Sequence, residues 1–395
     1  MTDYILALNG GSSSLKFAVY DGGDRLELVI KGQISRLGSA PVLTAKVGGE
    51  RVINKALGSA RMELEAAARE IFTVLAERGL LQRIGAVGHR IVHGGRSFTE
   101  PVRITDTVLA QLRQLVPLVP LHQPYNLDIV EIAAGFLPGA PQVGCFDTAF
   151  HASRPRLDFL YGLPRAFADD GIVAYGFHGL SYAHVASVLK ERDGERAGGR
   201  TIVAHLGSGA SLCAMLSGRS MTTTMGFSAL DGLLMSQRCG SLDPGVILHL
   251  LTERKMSPEE ISELLYEQSG LLGVSGISGD METLLSSSDP RAAEAIDLFV
   301  YRIGRSMGSL AAAIGGLDTL VFTAGIGENA PALRARIGEE ARWLGVEIDP
   351  ARNDSKQMCI SPDWAAVDVL VLAADEERAV AEGTLTCIGR SEKGG

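Results

Sequence analysis

The chain has 395 residues, a formal net charge of −9, 46% hydrophobic residues and 21% charged ones. This length allows two domains of ordinary size, and the composition is that of a soluble globular protein. The acidic balance argues against a nucleic-acid surface while leaving room for a locally basic anion site.

The chain begins MTDYILALNGG, with no basic segment before its short apolar run, and no apolar stretch approaches twenty residues. Neither a signal peptide nor a membrane span is expected. Residues 5–19, ILALNGGSSSLKFAV, predict strand, Gly/Ser turn, strand. The glycines would let backbone amides approach a ligand, the hydroxyls of Ser12, Ser13 and Ser14 add donors, and Lys16 could reach the same ligand. This is either a phosphate clamp in outline or an ordinary hairpin with a polar tip. It is not a Rossmann or Walker turn, which a helix should follow. Residues 1–60 read as strands, with turns at Asp21-Gly22-Gly23 and Gly48-Gly49, and residues 60–81 as an amphipathic helix. GAVGHRIVHGG (85–95) predicts a buried strand ending in glycines. His89, Arg90 and His93 around such a strand need partners or a ligand, and for Arg90 the alternative is a structural ion pair.

Residues 115–126, LVPLVPLHQPYN, form a proline-punctuated loop into a helix, with His122 near its tip. QVGCFDTAFH (142–151) predicts another buried strand with Asp147 at its end, a place that suits a catalytic or metal-directed carboxylate or a helix cap. A domain change is expected near 150. In AYGFHGLSYAHVASVL (174–189), His178 stands at a helix entrance, in a structural or a catalytic role. IVAHLGSGASLCAML (202–216) repeats the first hairpin without a gap: Ala7 matches Ala204, Gly10 Gly207, Ser14 Ser211 and Leu15 Leu212. Two halves, each opening with a polar hairpin at a central cleft, suggest an enzyme that clamps a polyphosphate.

Residues 221–246, rich in Met, Gly and hydroxyls, read as a long ordered active-site loop with Arg238 as its only cation. Ser257, Pro258 and Glu260 signal a capped helix, and Asp289-Pro290 start a long one. Residues 318–337 predict strand, glycine turn (Gly325, Ile326, Gly327, Glu328, Asn329) and helix, a context that suits a nucleotide. In 367–385 a strand enters a helix through Asp375-Glu376-Glu377, acids that partner a helix dipole or hold a metal. The terminal SEKGG reads as a frayed tail. Five dispersed cysteines, Cys145, Cys213, Cys239, Cys359 and Cys387, lack metal-ligand spacing and predict reduced thiols in the cytoplasm.

Together, NGGSSSLKF, GHRIVHGG, PLHQP, FDTAFH, YGFHG, HLGSGAS, MGF, RCG with a following DP, FTAGIGEN and the late DEE resemble the acetate kinase family, in order from residue 5 to about 380. The resemblance implies an α/β fold of two duplicated actin-like (ribonuclease H-like) domains around a central nucleotide cleft. Residues 1–150 with about 378–395 would form the acid-binding domain and 151–377 the nucleotide-binding one. It implies reversible, ATP-dependent phosphorylation of acetate or another short carboxylic acid, with Mg²⁺ (or Mn²⁺), by a cytoplasmic homodimer with no nucleic-acid or membrane partner.

Two anions approach each other in that reaction, so cations must screen them; Arg90 and Arg238 are the candidates. By resemblance His178 donates to the transferring phosphoryl group, Asp147 acts on the attacking carboxylate or through the metal, and Asn9 and Glu376 hold the metal. Lys16, His205, Leu206, Gly207, Ser208 and Gly209 would lie near the phosphates. Asp280, Met281, Glu282 and Gly325–Asn329 would surround the adenosine. Val92, Leu121, Phe177 and Ala229 would bound the acid pocket. The chain departs from the family at Ser208 and Asp375 (usually Asn), Glu282 (Arg), Ser241 and Thr222 (Asp), Leu180 (Thr) and Ala229 (Pro). Ala229 for Pro predicts a slightly roomier pocket, with acetate best, propionate close behind and butyrate poor. Three alternatives are an inactive ATP-binding regulator, a propionate or butyrate kinase, and a dehydrogenase suggested only by glycine density.

Overall fold

Alternating apolar residues in the first sixty positions fold into five strands: β1 (Tyr4–Gly10), β2 (Ser14–Asp21), β3 (Leu28–Ser35), β4 (Val42–Val47) and β5 (Glu50–Ala56). They join β6 (Ile84–Ile91), β7 (Val102–Arg103) and β8 (Gln142–Phe146) in one sheet of order β5-β4-β3-β2-β1-β6-β8-β7. This computed structural model describes residues 3–393 except 12, 24, 195–198 and 356, and only the backbone of 390–393. Ser12, one of the turn hydroxyls, therefore lies outside the described residues. The chain divides into one unit of Met1–Ala152, Gly179–His184 and Asp375–Gly395, and another of Ser153–His178 and Val185–Ala374.

In the first unit the period-2 pattern sorts side chains to two faces of the sheet. Leu6, Leu8, Leu15, Phe17 and Val19 pack with Ile71, Phe72, Ile129 and Ala133 from the helices Leu64–Glu77 and Gln123–Phe136. Ile5, Ala7, Ala18 and Tyr20 pack with Val143, Ala379 and Val380, so the helix Glu376–Lys393 covers the other face. Each fully buried aliphatic or aromatic side chain of this kind contributes about 1.5–3 kcal/mol.

The second unit holds β9 (Arg200–Leu206), β10 (Ala210–Leu216), β11 (Arg219–Thr223), β12 (Thr319–Thr323) and β13 (Asp368–Val371), in the order β11-β10-β9-β12-β13. Here β9 and β11 flank β10 antiparallel, while β12 runs parallel to both β9 and β13. The core β3-β2-β1-β6-β8 of the first sheet has the same order and the same sense at each step. The sequence repeat is thus a repeat of topology, and its hairpins β1–β2 and β9–β10 occupy equivalent places. The helix Pro290–Ile314 covers β9, β10 and β11 with Ile296, Phe299, Val300, Ile303, Met307 and Leu310, spaced three and four apart.

Local signals act as expected at several helix starts. Ser257 and Glu260 form a reciprocal capping box ahead of Pro258–Glu267, and Asp289 caps Pro290–Ile314, which Gly315 ends at φ 75°. Three expectations need correction. The helix expected over 60–81 covers only Leu64–Glu77, because Gly79 turns the chain at φ 68°. Gly325–Asn329 is not a turn but part of a helix, Ala324–Asn329, and the positive φ of 66° falls on Ala324. The last helix continues to Lys393, so Ser391–Lys393 are helical, while Gly394 and Gly395 lie outside the described residues.

Close packing of the last helix on β6 depends on Gly88, where a β-carbon would meet Thr384 Oγ1 at 2.2 Å and Val380 Cγ1 at 2.6 Å. Gly88→Ala should therefore lower stability by about 1–3 kcal/mol, the usual cost of overpacking. Urea unfolding checks this, and an unchanged midpoint would mean that the helix moves aside freely.

Candidate active site

In the first unit, three parallel strands deliver one polar side chain each near their carboxyl ends: Asn9 on β1, Arg90 on β6 and Asp147 just after β8. Glu376, the first residue of the last helix, joins them. Arg90 donates from Nε to Asp147 Oδ1 at 3.1 Å and from Nη2 to Asp147 Oδ2 at 2.6 Å. Its Nη1 donates to Asn9 Oδ1 at 3.2 Å, and its Nε lies 3.4 Å from Glu376 Oε2. Asn9 Nδ2 in turn donates to Glu376 Oε2 at 3.2 Å. The Asp147 side chain is 1% exposed and that of Arg90 20%, and each guanidinium nitrogen has a partner in the cluster.

Burial raises the Asp147 carboxyl above its ordinary range, with Arg90 opposing and the Glu376 charge adding. Burial pulls the Arg90 guanidinium down, but the charges of Asp147 and Glu376 outweigh it and hold the group above its ordinary range. Arg90 is thus a permanent cation held in a fixed plane by a bidentate carboxylate.

In the second unit, His178 takes the left-handed conformation (φ 59°) as N-cap of Gly179–Asp193. Its Nδ1 lies 2.8 Å from Ser211 Oγ, and its ring stacks on His205 at 4.2 Å between centroids. A β-carbon on Gly209 would stand 3.2 Å from His178 Nε2 and 3.9 Å from Arg238 Nη1. The β9–β10 turn therefore passes beside both groups, and a larger residue at 209 would press on the His178 ring. Arg238 Nη1 donates to Ala229 O at 3.0 Å. Its loop is fastened by backbone bonds from Thr224 to Leu212, Cys239 to Leu265 and Leu271 to Met235. The expectation of an ordered loop there is met.

The other candidates lie nearby or apart. Lys16 is exposed, directly across the ladder from Asn9. Leu206 is buried in β9, and Ser208 is exposed at the turn between Gly207 and Gly209. Val92, Phe177 and Ala229 are buried, whereas Leu121 is 41% exposed. Asp280 caps the short helix Met281–Leu285, accepting from Thr283 N and Thr283 Oγ1, both at 2.8 Å; Met281 is buried and Glu282 exposed. In Ala324–Asn329, Asn329 Nδ2 donates to Gly325 O, Arg334 Nη1 donates to Gly327 O and Glu328 O, and Glu328 Oε1 accepts from Ala374 N. Ile326 lies between these anchored residues.

Some contributing residues escape the sequence reading. Gln123 and Asn126, buried on the helix Gln123–Phe136, hold the segment after β6: Asn126 Oδ1 accepts from Val92 N and its Nδ2 donates to Gly10 O, while Gln123 bonds both N and O of His93. Buried amides on an apolar helix were their only signal. Ser211, which fixes the His178 ring, was visible only as the repeat partner of Ser14.

Both hairpins lead strand to strand, so neither offers the strand–glycine turn–helix of a dinucleotide fold, and the dehydrogenase alternative lapses. The fold is of the α/β class, two sheets of one repeated topology. A sequence model of the acetokinase family matches residues 4–382, and the chain belongs to that family. It is 49% identical over 399 residues to an acetate kinase of Rhodopseudomonas palustris, covering 96% of this chain and 97% of the other. It is 46% identical to one of Nitrobacter hamburgensis, covering 98% and 96%. Among solved structures, a propionate kinase from Francisella tularensis superposes with a TM-score of 0.90 at 32% identity, covering 97% of this chain and 99% of that one. An acetate kinase from Porphyromonas gingivalis gives 0.86 at 36%, covering 98% and 100%.

The two histidines beside Arg90 are structural. Gln142 Nε2 donates to Ala140 O, which turns Gln142 Oε1 toward His89 Nε2 at 2.7 Å and assigns the proton to that nitrogen. Burial pushes His89 down to about 4 against this bond, and burial pushes His93 to about 4 as well. Both stay neutral in the fold but take a proton when unfolded. The stability they contribute is complete above the ordinary histidine value near 6.5 and is lost as pH falls toward 4. His89→Gln should flatten the fall in unfolding free energy between pH 7 and 4.5 by roughly 2 kcal/mol. Urea titrations at both pH values measure it, and parallel curves for parent and variant would refute the assignment.

Proposed function

We propose that this protein is an acetate kinase. An acetate oxygen attacks the γ-phosphorus of ATP in line; the new O–P bond forms as the bond to the β–γ bridging oxygen breaks, and ADP leaves with its electron pair. The observation that carries this reading is the Arg90–Asp147–Asn9–Glu376 cluster in a chain that matches the acetokinase family over nearly its whole length. A carboxylate nucleophile is already ionised at neutral pH, so no general base is required. Asp147 serves by holding the Arg90 fork in place, and that cation binds the acid.

On the nucleotide side, His178, oriented by Ser211, donates to the transferring phosphoryl group. Arg238 neutralises charge that builds on its oxygens. His205, Gly207, Ser208 and Gly209 follow the phosphates, with Lys16 adding charge, and Asp280–Glu282 with Gly325–Asn329 receive the adenosine. The donors of Asn9 and Glu376 are hard oxygens, and among the described residues no group of three His, Cys, Asp or Glu is placed to cage a metal. This suits Mg²⁺, which takes one or two protein oxygens and keeps water and phosphate for the rest; Mn²⁺ fits the same donors. When bound, the metal supplies charge neutralisation at the phosphates.

Val92, Leu121, Phe177 and Ala229 bound the acid's methyl group. The small Ala229 side chain and the likeness to a propionate kinase favour propionate as a second substrate. Retention of Arg90, His178 and Arg238 argues against a non-catalytic regulator. The proposed location is the cytoplasm, in keeping with five free thiols, and among the described residues no helix is long and apolar enough to cross a membrane.

Arg238→Ala should reduce kcat by about 100-fold or more, as loss of a transition-state donor does. Arg90→Ala should raise the KM for acetate as well as lower kcat. Trapping the acyl phosphate as its hydroxamate measures both, and near-parental turnover in the two variants would dismiss the mechanism.

The homodimer is assigned to the helix Pro244–Thr252. That helix has no buried residue although it reads PGVILHLLT, with Leu248 61% exposed and Val246, Leu251 and the preceding Leu242 also open. An uncovered apolar surface of this kind marks an association site. Leu248→Glu should yield a folded monomer in sedimentation; a species unchanged in size would exclude this face.

A further inference from the structure

Three consecutive carboxylates, Asp375, Glu376 and Glu377, enter the last helix within one turn, and the fold holds them unequally. Lys31 on β3 reaches both outer ones: its Nζ lies 2.8 Å from Asp375 Oδ1 and 2.9 Å from Glu377 Oε2. Tyr20 on β2, which is 1% exposed, donates its hydroxyl to Asp375 Oδ1 at 3.2 Å. The same oxygen accepts from Arg378 N at 3.4 Å, so it also begins the helix. Ladder register explains the convergence. Lys31 lies opposite Ala18, and Ala18 and Tyr20 share the sheet face on which the helix packs. The middle carboxylate alone turns away, to Asn9 and Arg90.

We propose that Lys31, assisted by Tyr20, is a positioning residue for Glu376. By gripping the residues on either side, it fixes the direction of the middle carboxylate and cancels the charges that flank it. This rests on the reading of Glu376 as a metal ligand and deepens it. Glu377 is almost fully buried, so without the ammonium it would lose its ion-pair partner and would repel its neighbours within the turn. The least costly relief would be rotation or fraying of that turn, which would carry Glu376 out of line. Lys31 is held by Asp375 and Glu377, so its influence runs through the helix start.

The test is Mn²⁺ binding in the presence of ADP and without acid, followed by the electron paramagnetic resonance of free Mn²⁺, so that no turnover is involved. Lys31→Met should weaken binding at least fivefold, and Lys31→Arg, which keeps the cation, should stay within twofold of the parent. Lys31→Met with Asp375→Asn should recover most of the loss, because the second change removes one of the two charges left uncompensated. In steady state the Lys31→Met defect should appear in the Mg²⁺ half-saturation concentration, with kcat at saturating Mg²⁺ and the KM for acetate within twofold. Glu376→Ala is the reference. If it weakens Mn²⁺ binding while Lys31→Met does not, the positioning role is overturned and the metal reading stands. If neither variant weakens binding, both are overturned. A loss in Lys31→Met that Asp375→Asn fails to relieve refutes the charge clamp. Should Lys31→Met not fold, Lys31→Gln, which loses the charge but keeps a donor, takes its place in every comparison.

Discussion

Arg90 is the residue around which the polar cluster of the first unit is built, and its position is a consequence of strand direction. β1, β6 and β8 run parallel and adjacent, so their carboxyl ends lie side by side. Asn9, Arg90 and Asp147 each stand at or just past such an end. In parallel α/β sheets this is where ligands bind, because the chain leaves the sheet there and backbone and side chains become available together. A bidentate carboxylate then fixes the guanidinium in one plane, and Asn9 accepts from its remaining nitrogen. Gln123 and Asn126 complete the arrangement by holding the chain that leaves β6.

The ion pair itself is a poor explanation for stability. Withdrawing both charges from water costs several kcal/mol per ion, which Coulomb attraction and hydrogen bonds approximately offset. The apolar faces of the sheet stabilise the unit, with helices on both sides and residues sorted by period-2 alternation. Separation of these roles is useful to an enzyme. A scaffold stabilised by apolar burial can tolerate a cluster of charges that contributes little to folding and is available for binding anions.

How far the sequence was legible follows the range of the interactions involved. Strand, turn and cap signals act over a few residues, so the two hairpins, the Ser257 capping box and the placing of Asp147 at a strand end could all be read directly. The sequence repeat marked the two equivalent hairpins, while the strand order around them emerged only in the fold. Gly325–Asn329 was misread because glycines suggest a turn, whereas the bend is taken by Ala324 and the glycines are wound into the helix that follows. Lys31 and Tyr20 were illegible for another reason: their partners lie more than three hundred positions away. No local pattern distinguishes a lysine on a strand from an ordinary exposed one until the last helix is laid across the sheet.

The duplicated sheets show how one topology serves two kinds of chemistry. At the strand ends of the first unit evolution has placed a fixed cation, two carboxylates and an amide, groups suited to gripping an acid and a metal. Beside the equivalent β9–β10 turn of the second unit there are glycines and stacked imidazoles, and Arg238 donates to the Ala229 carbonyl. A carbonyl orients a guanidinium through a dipole, whereas a bidentate carboxylate orients it through a full opposite charge. Equivalent strand ends thus carry different groups, because topology fixes where a side chain emerges and the residue standing there fixes its chemistry.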